Sequence, residues 1–208
     1  MKVNKKFLDK ELQNAIKPIV KEYKLKSRGI TLFKEIDDYF IYITISISGM
    51  KKEKIAITGY IKPFIIDDLF WKVFNMSNNS NEPISLRANG AFKIDGLTVF
   101  SKNIEYEEIE NIPNLSKELL RECYNKIVDL TNKFSNVNEF LVYSEKVEKK
   151  VLYDYNLVKM LLLINEEKYV EAKGIAEEQI KNHKYGRFQN EGKFIYDHIV
   201  DYCNLHKE

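Results

Sequence analysis

The residue types that most often perform chemistry occur in this chain without the spacings that such chemistry needs. The histidines His183, His198 and His206 lie in the last 26 residues, and no two have the four-residue spacing that places two zinc ligands on one helix face. The cysteines Cys123 and Cys203 are far apart, and no CxxC motif marks a zinc or redox site. We therefore expect surface or helix-capping histidines and two buried free thiols.

Nucleophile and phosphate-binding motifs are also absent from the sequence. It contains no GxSxG, GxGxxG or GxxxxGK[ST] segment. The acidic pairs Asp37–Asp38, Asp67–Asp68 and Glu107–Glu108 have side chains that bind hard cations or transfer protons. Asp37–Asp38 precedes a predicted strand and Asp67–Asp68 a predicted helix, where Asp commonly forms turns and caps. We expect no catalytic residue, no metal site and no cofactor.

The charge of the chain is balanced overall but uneven along its length. Lys and Arg total 33 against 31 Asp and Glu, which gives a net charge of +2. Residues 1–28 carry nine basic and three acidic side chains, whereas residues 63–112 carry four basic and eight acidic ones. A Lys-rich helix can lie on a membrane or contact nucleic acid, but only four arginines are present and no aromatic residues alternate with the lysines. We expect a solvated helix face, no nucleic-acid partner and no membrane partner.

Apolar periodicity predicts the elements that must position any site. Residues 4–25 predict an amphipathic helix with Leu8, Leu12, Ile16 and Ile19 on one face, interrupted or kinked at Pro18. Five strands are predicted over residues 30–35, 38–48, 54–62, 84–94 and 97–106. Within 38–48, four isoleucines alternate with polar residues, so one face of the sheet is apolar and the other polar. A hairpin is expected at 49–54, and Asp67 or Asp68 is expected to cap a short helix.

The chain changes character after Pro113, where strand patterns give way to helical ones. Helices are predicted over 115–134, 137–149, 153–164, 167–183 and 189–205. The predicted fold is therefore α+β: an antiparallel sheet of about five strands (30–106), flanked by an N-terminal helix and a helical C-terminal part. We divide it into a sheet domain, 1–112, and a helical part, 113–208, which packs on the sheet or forms a small subdomain.

The polar face of the predicted sheet is the candidate interaction surface. Tyr42 and Tyr60 are expected on neighbouring strands with Thr44 beside them, and the candidate surface also includes Trp71 and Arg87. The alternative is that C-terminal helices cover this face. A second hypothesis is an enzyme or small-ligand-binding domain with a dispersed site, where Trp71, Arg87 and a carboxylate line a deep pocket. A third is a scaffold that binds peptides through the C-terminal hairpins, within residues 150–208.

Two stretches resemble known families. The order of helix, glycine, meander with DDYFIYITISISG (37–49), DDLFW (67–71) and a second sheet half is similar to small uncharacterised bacterial α+β families that include polymorphic-toxin immunity proteins. This resemblance covers residues 4–110 and implies a non-catalytic protein whose partner is a toxin. The stretch LLLINEEKYVEAKGIAEEQI (161–180) resembles one tetratricopeptide-type helical hairpin. A solenoid needs three or more such units, so we expect a single packed hairpin.

The expected location is the cytoplasm of a bacterium. The N-terminal residues are too highly charged for the apolar region of a signal peptide, and no apolar run approaches the ~20 residues needed to span a bilayer. Two isolated thiols suit a reducing compartment. The sequence thus predicts a cytoplasmic protein-interaction module without enzymatic activity.

Overall fold

The computed structural model describes residues 4–48, 54–147 and 153–206. Contacts divide the chain into two compact units, each built from two separate segments. The sheet unit comprises Met1–Lys62 and Gly96–Asn136, and the helical unit comprises Pro63–Asp95 and Val137–Glu208. The predicted hairpin at 49–53 and positions 148 and 149 of the predicted helix 137–149 lie outside the described residues.

Five antiparallel strands in sequential order form the sheet of the sheet unit. They are β1 (Lys26–Arg28), β2 (Thr31–Ile36), β3 (Tyr39–Ser48), β4 (Lys54–Pro63) and β5 (Leu97–Glu105). Thr31 of β2 lies opposite Thr44 of β3, and Lys54 of β4 lies opposite Glu105 of β5. The register of β4 on β5 shifts at Gly59/Tyr60. The predicted α+β class and the five-stranded antiparallel sheet are confirmed.

Two helices of the same unit pack on the apolar face of this sheet. Helix α1 (Lys5–Glu22) buries Leu8, Leu12, Ile16 and Ile19, which confirms the predicted apolar face, and it continues through Pro18 as one helix. The Asn4 side chain accepts a hydrogen bond from the backbone of Lys6 and caps its start. Helix α4 (Ile112–Thr131) packs against α1, β3 and β5. The isoleucines of β3 and β4 that were predicted to face the core are buried.

The helical unit contains six of the helices in the described residues. They are α2 (Ile66–Val73), α3 (Leu86–Asn89), α5 (Val137–Lys146), α6 (Tyr155–Asn165), α7 (Tyr169–Lys181) and α8 (Ile195–Leu205). Helices α6 and α7 form the predicted hairpin, and α8 packs along α7. Ala172 and Ala176 of α7 are fully buried. Their small side chains allow the neighbouring helices to pack closely. None of the helices in the described part of the chain is long and apolar enough to cross a membrane.

Three sequence predictions about elements are wrong. The predicted strand 84–94 is instead the one-turn helix α3 followed by irregular chain, because the residues after Pro83 form successive helical turns. The fifth strand is instead β1, which follows the predicted first helix (4–25) and precedes the first predicted strand (30–35). That helix ends at Glu22, where Lys24 adopts a left-handed conformation with φ 53°. A small hairpin, β6 (Gln189–Asn190) and β7 (Lys193–Phe194), replaces the start of the helix predicted at 189–205.

The contacts group the chain differently from the sequential division into 1–112 and 113–208. Helix α4 belongs with the sheet because it packs against β3 and β5 and against the neighbouring helix α1. Residues 63–95 belong with the later helices because α2 packs on α6 and α8. Each unit therefore draws on both halves of the sequence.

Candidate functional site

Tyr42 and Tyr60, the centre of the predicted surface, lie side by side in the sheet unit. Their rings stack with centroids 4.5 Å apart and an interplanar angle of 12°. The backbone N–H of Gly96 donates to the Tyr42 hydroxyl at 2.9 Å. A Cβ on Gly96 would lie 3.0 Å from both the Tyr42 and the Tyr60 side chains, so glycine is needed for this close approach. Tyr42 thus fixes the start of β5.

The predicted exposure of this face is only partly correct. Tyr42 is 4% exposed, whereas Thr44 and Tyr60 are half-buried. Beside them the fully buried ammonium of Lys62 lies 5.5 Å from the Phe40 ring centroid and 5.8 Å from that of Tyr42. Because the hydroxyl and the ring of Tyr42 are both engaged within its own unit, Tyr42 acts as a structural residue.

Trp71 and Arg87 come together in the helical unit, but inside it. The Arg87 guanidinium carbon lies 4.4 Å from the Phe64 ring centroid and 5.1 Å from that of Trp71. Arg87 donates to both carboxylate oxygens of Asp68, at 2.8 and 2.7 Å, and to the Phe64 carbonyl at 3.2 Å. Trp71 is 1% and Arg87 6% exposed. Their predicted place on an exposed surface is wrong, because stacking and bidentate pairing keep the guanidinium in the interior.

The acidic pair beside this cluster is not a helix cap. The N-cap position of α2 is Ile65, which has no capping side chain. Asp67 is fully buried and accepts a hydrogen bond from the backbone of Ile94 at 2.8 Å, and Trp71 donates its indole N–H to the Phe92 carbonyl at 2.6 Å. The expected convergence of Trp71, Arg87 and a carboxylate therefore exists, and its polar groups hold the irregular chain between α3 and β5.

The histidines and cysteines fill structural positions. His183 and His206 are exposed, and His206 Nδ1 lies 2.7 Å from the Tyr202 carbonyl at the end of α8, as a capping residue would. His198 is buried, contrary to prediction: its Nε2 lies 3.1 Å from the Asn190 carbonyl and its ring meets Phe74 edge-on. Both cysteines are buried and free, as predicted. Within the described residues, no three His, Cys, Asp or Glu side chains are arranged to hold a metal ion.

An open groove runs between α7 and α8 on the surface of the helical unit. Its volume is about 440 Å³, and its lining includes Ile180 and Val200. Charged side chains form its rim: Glu177, Lys181, Lys193, Asp197 and Asp201. Lys193 and Asp201 form an ion pair at 2.7 Å, which raises the pKa of Lys193. An apolar floor with a charged rim is the usual composition of a peptide-binding groove.

Aromatic side chains cluster where α7 begins and α8 ends. The Tyr202 and His206 rings stack with centroids 4.1 Å apart, and Tyr169 lies 5.6 Å from His206. Lys72 of α2 lies 5.7 Å from the Tyr202 centroid, and its hydrogen bond with Tyr202 raises the pKa of Lys72. We call this cluster and the groove together the α7–α8 surface.

Exposed aliphatic side chains border the aromatic cluster. Val170 is 71% and Leu205 82% exposed, the highest values among the large apolar residues described as exposed. Val170 follows Tyr169, and Leu205 precedes His206. Exposed apolar side chains next in sequence to half-buried aromatic residues mark a contact surface better than isolated exposed residues do.

No protein-family model, curated protein or solved structure matches this chain. The α7–α8 surface was missed in the sequence because its members come from distant positions, between Lys72 and His206. One signal was available: Val170 and Leu205 are apolar residues outside the apolar faces of their predicted helices.

Proposed function

We propose that the protein is a non-catalytic protein-interaction module that binds a protein partner through the α7–α8 surface. The observation that carries the proposal is the cluster of half-buried Tyr169 and Tyr202 with exposed His206, next in sequence to the exposed Val170 and Leu205. Tyrosine supplies a large contact area at low entropic cost and is enriched at the centres of protein interfaces. The apolar side chains around it gain free energy when a partner removes them from water.

The groove adds shape to this surface. Ile180 and Val200 provide an apolar floor, while the rim carries both signs of charge. A partner segment that places an apolar side chain on the floor would bury it, and its charged neighbours would fix the register. In this proposal the groove selects the partner and the aromatic cluster contributes most of the affinity.

The finer proposal is that the partner is a toxin and the protein a cytoplasmic bacterial immunity protein. The resemblance of residues 4–110 to families that include immunity proteins supports it. An immunity protein requires no catalytic group, only a surface that covers its target. The buried placement of Trp71 and Arg87 agrees with this, since both side chains stabilise the protein's own interior.

A binding experiment with the product of the neighbouring gene tests the proposal. Full-length protein is titrated calorimetrically with that product, and we expect one discrete complex. Val170→Asp combined with Leu205→Asp should weaken it by at least about tenfold, since each charge would be placed in an apolar contact. The matched control is Val142→Asp, because Val142 is another exposed valine of the helical unit, at 52%.

The outcomes separate the two levels of the proposal. If the neighbouring product forms no complex, the immunity role is rejected. If a complex forms but the double variant binds as well as the original protein, the assignment of the α7–α8 surface is rejected. Loss of binding in the double variant alone supports both the function and its location.

A small-ligand site is the second candidate, favoured by the groove's volume of about 440 Å³, which falls in the range of about 300–1,000 Å³ found for ligand pockets. A thermal-shift screen with small polar metabolites would show stabilisation if this candidate were correct. Ile180→Lys, which would place a charged chain on the floor, should abolish that stabilisation. Its persistence would contradict a ligand site in the groove.

A further inference from the structure

The exposed side of α1 carries a straight line of lysines. Lys6, Lys10, Lys17 and Lys21 are all exposed. At 100° per residue they fall within about 60° of the helix circumference, and at 1.5 Å per residue they extend over about 22 Å. This line, the lysine stripe, lies opposite the buried face formed by Leu8, Leu12, Ile16 and Ile19.

The three acidic residues of α1 do not neutralise this stripe, and Glu11 lies at least about 80° around the helix from each of its lysines. The Asp9 carboxylate accepts a hydrogen bond from the Ile47 backbone at 3.0 Å, which directs it toward the sheet. Glu22 forms a bidentate pair with Arg121 of α4 at 2.8 and 2.7 Å. Within residues 4–48, 54–147 and 153–206, none of the four lysines has an ion-pair partner. The stripe therefore presents four like charges without counter-charges.

The surroundings of the stripe extend it and add apolar contact area. Lys24 and Lys26, which follow the helix, are exposed and carry the positive charge to the edge of the sheet. Phe7 is 50% exposed near the start of the stripe, and Pro18 is exposed beside its second half. A partner of this surface meets both a row of charges and apolar side chains.

We propose that the lysine stripe is a docking surface for an acidic helical segment of a partner protein. Lys6 and Lys10, like Lys17 and Lys21, are one helical turn apart, or about 6 Å. Lys10 and Lys17 are seven residues apart, so carboxylates spaced by four, seven and four residues on a partner helix would lie opposite the four lysines and match them in charge and in spacing. This inference rests on its own residues and stands whether or not the α7–α8 surface binds.

A protein partner fits these features better than a phosphate backbone or an anionic lipid surface. Lysine acts as a point charge and lacks the fork by which arginine grips phosphate, and the stripe contains no arginine. Exposed Phe7 and Pro18 beside the charges have apolar partners on a protein but not along a phosphate chain. DNA and vesicle binding then serve as the competing outcomes of the experiment.

The experiment measures binding of full-length protein to defined anionic probes by fluorescence anisotropy and vesicle sedimentation. The main probe is a labelled alanine-based helical peptide with Glu at spacings of four, seven and four residues. It is compared with the same peptide carrying Gln for each Glu. Random-sequence duplex DNA and phosphatidylserine vesicles are tested alongside. Measurements at about 50 mM and about 300 mM salt report the electrostatic share of the binding, because screening shortens the reach of the charges.

A matched pair of variants separates the effect of the lysine stripe on binding from the effect of the protein's net charge. The test variant carries Lys6→Gln, Lys10→Gln, Lys17→Gln and Lys21→Gln. The control variant carries Gln at four other exposed lysines: Lys126, Lys133, Lys146 and Lys184. Both lose four positive charges, and circular dichroism with thermal melting confirms that both are folded. A single-site series, Lys10→Gln and Lys17→Gln, replaces the test variant if it unfolds.

The proposal expects salt-sensitive binding of the Glu peptide, weakened about tenfold or more in the test variant and unchanged in the control. Three results would overturn it: no binding of the Glu peptide, equal weakening in both variants, or tighter binding of DNA or vesicles through the same four lysines. Binding of the Gln peptide as strong as that of the Glu peptide would also reject it, since the charge match would then be irrelevant.

Discussion

A Cβ atom on Gly59 would lie 2.7 Å from Sγ of Cys123 and 2.8 Å from Cδ1 of Ile127. Gly59 is in the middle of β4, and both contact residues belong to α4. The helix therefore sits directly on the strand backbone at this point, where the register of β4 on β5 also shifts. Glycine inside a strand is usually unfavourable, and here it permits the close approach.

Gly59→Ala should destabilise the protein by about 1–3 kcal/mol, because the added methyl overpacks a contact with two rigid neighbours. The control is Gly174→Ala on α7, where a Cβ would meet nothing within 4 Å. That change should stabilise by about 0.5–1 kcal/mol, since alanine favours the helix. Urea unfolding of both variants measures the difference. Equal effects of the two substitutions would contradict the close packing of α4 on β4.

Arg87→Ala should cost about 2–4 kcal/mol of stability, because Asp67 is left buried without its neighbouring cation. The expected loss of stability does not include the full value of the pair with Asp68, because the Asp68 side chain is 32% exposed and water can replace the lost guanidinium. Arg87→Lys should recover only part of this, since one ammonium cannot make the bidentate and stacked contacts. Arg121→Ala is the control, because its pair with Glu22 has the same form at the surface. Its urea midpoint should barely change; a loss as large as that of Arg87→Ala would contradict the role of burial.

Alkaline pH should destabilise the protein. Burial raises the pKa of Cys123, and burial also raises the pKa values of Tyr153 and Tyr196. In the unfolded chain such groups lose their protons near about 8.5 for cysteine and about 10 for tyrosine. Above these values the unfolded state binds fewer protons than the folded one, so the stability present at lower pH declines as pH rises.

Urea midpoints between about pH 7 and about pH 10.5 measure this alkaline loss. In Cys123→Ala the decline below the pH range of tyrosine ionisation should be shallower than in the original protein, because one buried thiol no longer contributes to it. A profile that stays flat over this range in the original protein would contradict the prediction.

Side-chain hydrogen bonds join the β6–β7 hairpin to the end of α2, and the one from Asn190 is the more buried. The Asn190 amide donates to the Phe74 carbonyl at 2.9 Å, while the Asn190 carbonyl lies 3.1 Å from His198 Nε2. Asn190→Ala should cost about 1–2 kcal/mol, since the Phe74 carbonyl at the end of α2 loses its donor. Gln189→Ala, at the exposed neighbouring position, should be nearly neutral. Hydrogen exchange of the hairpin amides provides a second, local measurement.

Periodic segments of the sequence predicted the sheet unit well. The alternation in β3 and the apolar face of α1 each report one buried surface, so each is visible over a short window. Residues 84–94 were misassigned because their apolar residues fit a strand pattern, whereas Arg87 needs the turn of α3 to meet Asp68. Because Arg87 and Asp68 pair through the tertiary structure, the pair produces no periodic pattern in the sequence around residue 87.

The candidate site was less predictable than the fold. Tyr42 and Arg87 were selected by residue type, and type does not reveal that a hydroxyl accepts from Gly96 or that a guanidinium pairs with Asp68. The aromatic cluster at Tyr169, Tyr202 and His206 depends on how α7 and α8 pack, which joins positions more than 30 residues apart. Only the lysine stripe could be read from spacing, because it lies on a single helix.

The two-segment construction of each unit affects how the chain is made. A ribosome releases β1 to β4 first, but the strand and the helix that complete the sheet unit lie at Gly96–Asn136. At about 5–20 residues per second, several seconds pass while the apolar face of the nascent sheet still awaits α4. The helical unit waits longer still, because α2 emerges well before α6 and α8. Nascent chains of this protein should therefore bind chaperones for an extended period. Premature stop codons before α8 should yield aggregates, because the helical unit then lacks part of its core.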